Sequence, residues 1–549
     1  MTDTATTTDT ATQVTGGIAM ARQLAAEGVE HVFGIPGVQL DYASSGLAAY
    51  RDQIRFINAR HEQTTTYAAD GYARTTGRIG VALVVPGPGV LNAGSGLVTA
   101  LACSSPVLLI SGQIPTRGIG HGFGLLHEIP DQSGILETLC RASTLVTEPG
   151  KVPGAIHGAM VRLQQGPGPV AVEIPPDVLS ATTDGGAIGP EPAGTPSPGA
   201  DADLGAAAEL LMAAERPVIY VGGGGAVADA WDELGELSTT LGAPLVSSAN
   251  GIGSFDNRHP LAFLPLANKE LLARADTVLF VGSRALEGNG RALRTADDAT
   301  LISLNHDPLA FGPPRSFDAT IAGDARTGTA ALTSLLEGER APWLDDPDAV
   351  RDRVSEQLSP LEPQLSYAAA LRNAMPDEAI LVTELTQVGY VARYTFPIRH
   401  RRSYLSPGYQ GTLGYGYPTA IGAAVGNPDR PVVSINGDGG FGYGLAEMAT
   451  VMNYEIPLIG IVFRDDAYGN VQRMHKQQFD GVHLGTELTN PDMLALAAAF
   501  GMTGYRAESP DELQATLSTA IEAREPCLID VPIGITPDPW AIVTRPFRG

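Results

Sequence analysis

Residues 431–466 constrain the fold more than any other stretch. The run Pro431-Val-Val-Ser-Ile-Asn436 enters the turn Gly437-Asp438-Gly439-Gly440. Leu445, Met448, Ala449 and Met452 then recur at helical spacing, and a second apolar run, Pro457-Leu-Ile-Gly-Ile-Val-Phe463, ends in Arg464-Asp465-Asp466. Two such runs joined by an amphipathic helical stretch make a βαβ unit, which builds a parallel sheet. Acidic residues stand at both strand ends. Glycines let backbone N–H groups approach phosphate oxygens, and Asp438 and Asp465 can supply hard oxygen ligands to a divalent cation. The unit reads as a clamp for a magnesium-bound diphosphate. Gly437, Gly439 and Gly442 also satisfy G-x-G-x-x-G, with Asp465 as the acid that would hold a nicotinamide ribose. Against that reading, the carboxylate of Asp438 would repel a pyrophosphate unless a cation lay between them.

The same alternation recurs along the chain. Val81-Ala-Leu-Val-Val85, Val107-Leu-Leu-Ile110, Pro217-Val-Ile-Tyr-Val221, Thr277-Val-Leu-Phe-Val281 and Leu528-Ile-Asp-Val531 alternate with amphipathic stretches. That pattern predicts an α/β fold of doubly wound parallel sheets with helices on both faces. Gly/Pro-rich segments at 182–198 and 337–347 break the periodicity, so the 549 residues divide into three domains. Gly222-Gly-Gly-Gly225 follows a strand and is read as turn geometry rather than a nucleotide loop. A formal charge of −25 opposes binding to nucleic acid or to anionic membranes. No apolar run reaches the ~18–20 residues of a membrane span. The polar start, Met1 to Thr10, lacks the basic and apolar regions of a signal peptide, so a disordered tail and a cytoplasmic protein are expected. Cys103, Cys140 and Cys527 are scattered in apolar surroundings and are expected to be buried thiols.

A second constellation lies near the N-terminus. A short strand, Phe56-Ile-Asn58, gives way to a helix through Tyr67-Ala-Ala-Asp-Gly-Tyr-Ala-Arg74, with Glu62 at its start. In isolation such a glutamate is a helix-initiating acid favoured by the macrodipole. Together with Gly437–Gly440 and Tyr468-Gly469, however, the Arg60-His-Glu-Gln63 segment resembles the thiamin-diphosphate enzymes of the acetolactate synthase and 2-oxo-acid decarboxylase superfamily. Further matches follow in order: Phe33-Gly-Ile-Pro-Gly37, Gly87-Pro-Gly89 with Asn92, Ser111-Gly-Gln-Ile-Pro115, Gly166-Pro-Gly-Pro-Val170 with Glu173-Ile-Pro175, and Gly411-Thr-Leu-Gly-Tyr-Gly-Tyr-Pro418. The resemblance covers nearly the whole chain after the tail.

The resemblance implies a tail at 1–13, an aminopyrimidine-binding domain at 14–185, a linker at 186–199 and a middle Rossmann-like domain at 200–336. A second linker at 337–361 then leads to a diphosphate-binding domain at 362–549. In such enzymes the cofactor lies between the first domain of one subunit and the last of another, so a homodimer or homotetramer is implied. By the same carry-over Glu62 hydrogen-bonds N1′ of thiamin and promotes the imino tautomer that removes the C2 proton. Leu413 is the apolar wedge that forces the rings into a V, and Gly411 offers its carbonyl to the 4′-amino group. Asp438, Asp465 and the carbonyl of Ala467 ligate Mg2+ with the two phosphates. Pro36, Gly37, Gly87, Asn92, Gly437, Gly439, Gly440, Tyr468 and Gly469 are the further cofactor contacts. Many relatives have asparagine where this chain has Asp465, and Arg464 is expected to offset the added charge.

Within the superfamily the pattern is closest to acetolactate synthases, which decarboxylate a 2-oxo acid and add the product carbanion to a second carbonyl compound. Three departures argue against the biosynthetic enzyme itself. Met474 replaces the tryptophan that selects the second oxo acid, Gly282-Ser-Arg-Ala-Leu-Glu-Gly-Asn289 lacks the charged flavin-contact segment, and the loop Gly120–Gln132 is longer than its counterpart. FAD is therefore not expected. Gln113, His121 and His127 are the candidate catalytic residues, with His475 a further polar group of the substrate end and His61 structural. The alternatives are a simple 2-oxo-acid decarboxylase, a C–C lyase acting on another ketone, a nicotinamide-dependent oxidoreductase, or a cofactor-binding protein without turnover. Glu62 argues against the last two.

Overall fold

The computed structural model describes residues 13–544 apart from 167, 193 and 289. All of the expected tail but Gln13 lies outside the described residues, as do Pro167 of the Gly166–Val170 motif and Asn289 of the segment after Gly282. Two compact units are present. One comprises the chain through residue 69 with 79–101 and 106–193, and the other comprises 70–78, 102–105 and the chain from 194.

The first unit holds a six-stranded parallel sheet in the order Arg55–Asn58, His31–Gly34, Gly80–Val84, Val107–Gly112, Val170–Ile174, Ala142–Leu145. Gly80–Val84, Val107–Gly112 and Val170–Ile174 are buried at every position, as their unbroken apolar runs require of strands covered on both faces. Met20, Leu24, Leu47, Ile156 and Met160 from the covering helices pack on Val81, Leu83, Leu108 and Val172. The helix Gly16–Ala26 begins where the hydroxyl of Thr15 accepts from Ile18 N, which satisfies one of the amides its first turn leaves free.

The second unit holds two parallel sheets. One runs Leu245–Ser247, Pro217–Val221, Thr277–Val281, Thr300–Asn305, Ala319–Ala322. The other runs Tyr404–Leu405, Ile380–Thr383, Val432–Gly437, Leu458–Arg464, Cys527–Pro532, Thr503–Arg506. The three parallel α/β sheets are those expected from the alternating pattern. Numbered along the chain, both six-stranded sheets read 2-1-3-4-6-5. In each, the winding reverses beside the first and third strands, whose carboxyl ends border the crevice where such folds bind ligands.

The helical stretch expected after Gly440 is not one helix. Asp438–Gly444, a 3-10 turn at Leu445–Glu447 and Met448–Asn453 follow one another. Gly439, Gly440, Gly442 and Gly444 are poor helix formers, and Gly444 (φ −116°, ψ 3°) leaves the helical region. Gly222 and Gly224 serve close packing, as read from the sequence. A Cβ on them would lie 2.3 Å from the oxygen and 2.7 Å from the Cα of Gly282. The three cysteines are buried and unpaired, and burial pushes Cys103 up to about 11 and Cys140 and Cys527 to about 12. No helix among the described residues is long and apolar enough to cross a membrane.

Candidate active site

In the second unit the candidate residues gather at the carboxyl ends of adjacent strands. Val432–Gly437 and Leu458–Arg464 pair in register with Gly437 opposite Phe463, so Asp438 and Asp465 emerge side by side. Asp438 is nearly buried. Its Oδ1 accepts from Gly439 N at 3.0 Å, and its Oδ2 accepts from Asp466 N at 2.8 Å and Asn490 Nδ2 at 2.7 Å. Asp465 accepts from Gln387 Nε2 at 3.3 Å and from the amide of Ala467, and its carboxyl lies within hydrogen-bonding reach of that of Asp438. Burial and then the charge of Asp438 push Asp465 up to about 6, and burial also raises Asp438. Two carboxyls crowded in this way call for a shared proton or a cation between them. Among the described residues no group of three or more His, Cys, Asp or Glu side chains could hold a metal. A cation here would take two carboxylates, a carbonyl and oxygens of its ligand.

The surrounding glycines fit a backbone cradle. A Cβ on Gly439 would lie 2.6 Å from the Tyr468 ring, on Gly440 2.1 Å from Glu384 Oε2, and on Gly469 2.0 Å from Asp465 Oδ2. Asp466 adopts a left-handed backbone (φ +54°), which aims its N–H at Asp438. Arg464 does not face Asp465. It pairs with Asp530 at 3.1 Å and Asp466 at 3.0 Å, because successive strand residues point to opposite faces. The expectation that Arg464 offsets Asp465 is corrected accordingly. Gly411 (φ +59°) and Gly414 (φ +77°) shape the loop that leaves Leu413 exposed. Met474 is exposed on the helix Gly469–Gln478, where His475 packs edge-on against Phe479.

In the first unit the candidates also lie beyond strand carboxyl ends. Glu62 opens the helix Glu62–Thr76 and accepts from Asn92 Nδ2 at 3.0 Å. Gly37 abuts Val85, just after Pro36. Gly87 (φ +61°) is pressed on the backbone of His127, since a Cβ there would lie 2.2 Å from its oxygen. Gly87 N donates to Gln132 Oε1 at 2.8 Å. Gln113 is buried and occupied at both ends: its Nε2 donates to Glu173 at 3.0 Å and its Oε1 accepts from Ile114 N at 2.8 Å. The same fully buried Glu173 accepts from Gln132 Nε2 at 2.9 Å and Ser133 Oγ at 2.7 Å. His121 is exposed and stacked on Phe123 in a run where Gly120, Gly122 and Gly124 all have positive φ. His127 is left-handed (φ +66°), and its buried Nδ1 has no hydrogen-bond partner among the described residues. His61 Nδ1 accepts from Gln63 N at 3.2 Å, a local structural role.

Three domain families match the chain in order. Residues 14–135 match "Thiamine pyrophosphate enzyme, N-terminal TPP binding domain", 204–335 match its central domain and 386–531 its C-terminal TPP binding domain. The chain belongs to the thiamine pyrophosphate enzymes. Among curated relatives, a Pseudomonas aeruginosa protein named "Probable 2-ketoarginine decarboxylase" is 36% identical over 536 residues, covering 94% of both chains. "Probable acetolactate synthase large subunit" of Methanocaldococcus jannaschii is 32% identical, covering 94% of this chain and 92% of its own. The Escherichia coli acetolactate synthase isozyme 3 large subunit is 30% identical, covering 93% and 92%. The chain is thus a thiamine-pyrophosphate-dependent enzyme resembling acetolactate synthases and decarboxylases.

Several residues of this thiamine pyrophosphate enzyme went unmarked in the sequence reading. Asn490 and Asp466 anchor Asp438, Gln387 bonds Asp465, Glu384 sits against Gly440, and Glu173 gathers Gln113, Gln132 and Ser133. The one available signal was an acid one residue beyond an apolar run, which Glu384 shares with Asp465. The other partners meet only once the sheets are assembled.

Proposed function

We propose that this enzyme binds thiamine pyrophosphate with Mg2+, decarboxylates a 2-oxo acid and transfers the resulting acyl carbanion to a carbonyl acceptor. The observation that carries the reading is the Asp438–Asp465 pair, a buried and a half-buried carboxyl converging at strand ends within a glycine cradle. Asp438, Asp465 and the carbonyl of Ala467 would hold the cation, and Gly437, Gly439 and Gly440 would face the phosphates. When bound, the cofactor supplies the carbanion and the electron sink. Glu62, oriented by Asn92, would hold a proton at N1′, and Leu413 with the carbonyl of Gly411 would set the ring geometry. FAD is not part of the proposal. The domain limits are proposed as 14–185, 200–336 and 362–549, in a cytoplasmic homodimer or homotetramer with sites formed between subunits.

A second reading, simple decarboxylation of a 2-oxo acid with a cationic side chain, is favoured by the name of the 36%-identical relative. Exposed Met474 in place of a flat indole leaves the acceptor end open to either course. The deciding experiment supplies pyruvate, 2-oxobutyrate and 2-ketoarginine with thiamine pyrophosphate and Mg2+, without FAD, and follows CO2 and products with and without an acceptor aldehyde. A new C–C bond supports carboligation. An aldehyde product alone supports the second reading. Inertness toward every 2-oxo acid would overturn both.

A further inference from the structure

Glu384 is a buried carboxyl that neither the metal set nor the Glu62 set uses. It directly follows the strand Ile380–Thr383, is 2% exposed, and stands at the crevice where the sheet winding reverses. Its own N–H donates to Ile435 O at 2.9 Å, so the side chain departs from the last rung of the ladder to Val432–Gly437. Two segments converge on the carboxyl. From one, Gly414 N donates to Oε1 at 2.6 Å, and the amide of Tyr415 also favours the charged form. From the other, the Gly437 amide acts in the same way, and the missing Cβ of Gly440 leaves the space that both carboxyl oxygens occupy. Oε2 has no hydrogen-bond partner among the described residues. Residues 411–415 form neither helix nor strand, Gly411 and Gly414 take left-handed backbone, and the buried Tyr415 at the loop's end is held by Arg74 Nη1, which donates to its hydroxyl at 2.8 Å.

We propose that Glu384 is a positioning residue, a buried clasp that holds the Gly411–Tyr415 loop at a fixed spacing from the Gly437–Gly440 turn. The inference rests on the reading of those segments as the cofactor's wedge and phosphate loops. One carboxyl touches both segments at once: Oε1 accepts from the Gly414 N–H, and both oxygens fill the space left by the missing Cβ of Gly440. A glutamine has one acceptor oxygen and turns an NH2 toward donors. An aspartate is one methylene too short to reach both.

The test uses the full-length protein carrying Glu384→Gln. Hydrogen exchange without cofactor should accelerate by about tenfold or more in 411–415 and 437–440 while the Leu245–Ala322 sheet region is unchanged. With cofactor and the 2-oxo acid that the panel above identifies, turnover should fall on the order of thirtyfold, while affinity for thiamine pyrophosphate with Mg2+ stays within about threefold, because Asp438 and Asp465 are untouched. Gly440→Ala should abolish cofactor binding by clashing with the carboxyl, and adding Glu384→Ala should restore it to the level of Glu384→Ala alone. Unchanged local exchange, exchange raised throughout the chain, or a failed rescue would overturn the clasp. A wild-type protein that binds no thiamine pyrophosphate in calorimetry would instead overturn the cofactor reading on which it rests.

Discussion

Two carboxylates at the metal loop and one at a helix start carry the proposed chemistry, and their neighbours set what each substitution should do. Asn92 Nδ2 holds Glu62 Oε2 at 3.0 Å, so Glu62→Gln keeps a hydrogen-bonding side chain but loses the acid that would share a proton with N1′. Turnover should fall by about a hundredfold or more while cofactor affinity changes by less than about tenfold, as read from kcat against a cofactor titration. Asp438 ties Gly439, Asp466 and Asn490 together, so Asp438→Ala removes a proposed ligand and also frees the left-handed Asp466 turn. Calorimetry should show no Mg2+-dependent thiamine pyrophosphate binding. Asp465→Asn keeps a ligand oxygen and relieves repulsion from Asp438, so its affinity loss should be far smaller; equal loss would show that the charge itself is needed. These two acids stood out in the sequence because each lies just beyond an apolar run, Asp438 among glycines. Asn490 and Glu384 were not, since neither stands near its partner along the chain and only the folded crossings bring them there.

At the scale of elements, close backbone approach explains where small residues are required. The helices Gly16–Ala26 and Asp41–Ala49 cross so tightly that a Cβ on Gly17 would lie 1.9 Å from Tyr42 O, and one on Gly46 2.0 Å from Gly17 O. Both clashes are with backbone, which cannot rotate away, so Gly46→Ala should destabilise by about 2–4 kcal/mol, seen as a lowered Tm of the first unfolding transition. The buried Glu384 gives a pH signature. Burial raises it from the ordinary 4.5 to about 7, so between those values the folded protein holds a proton that the unfolded chain has released. Its contribution to stability is therefore present below about pH 4.5 and is lost as pH rises through about 7. The Tm of the cofactor-free protein minus that of Glu384→Gln should fall across this window, and a flat difference would show that the carboxyl is not raised. Sequence periodicity placed the strands it named to within a residue or two, because buried parallel strands are unbroken apolar runs. It merged three short helical pieces after Gly437 into one, since the apolar spacing persists across Gly444 while the backbone does not.

For the whole molecule, the two six-stranded sheets share one winding order and carry different candidate carboxylates beyond their strand ends, and the proposed function assigns them opposite ends of one elongated cofactor. Composition alone would not have revealed this repetition; the order of strands did. The proposed assembly places Glu62 of one subunit with Asp438 of another, and that arrangement makes a prediction that single variants cannot. Glu62→Gln and Asp438→Ala proteins, each inactive alone, should regain activity when unfolded together and refolded as an equal mixture. A hybrid pair then carries both substitutions in one site and neither in the other. Random pairing makes about half of the dimers hybrids with one intact site of two, so about a quarter of wild-type activity should return. If each site were built within one subunit, every site in the hybrid would keep one lesion and no activity would appear. Light scattering on the same mixture checks that subunits have associated, so that silence could be read as a site held within one chain.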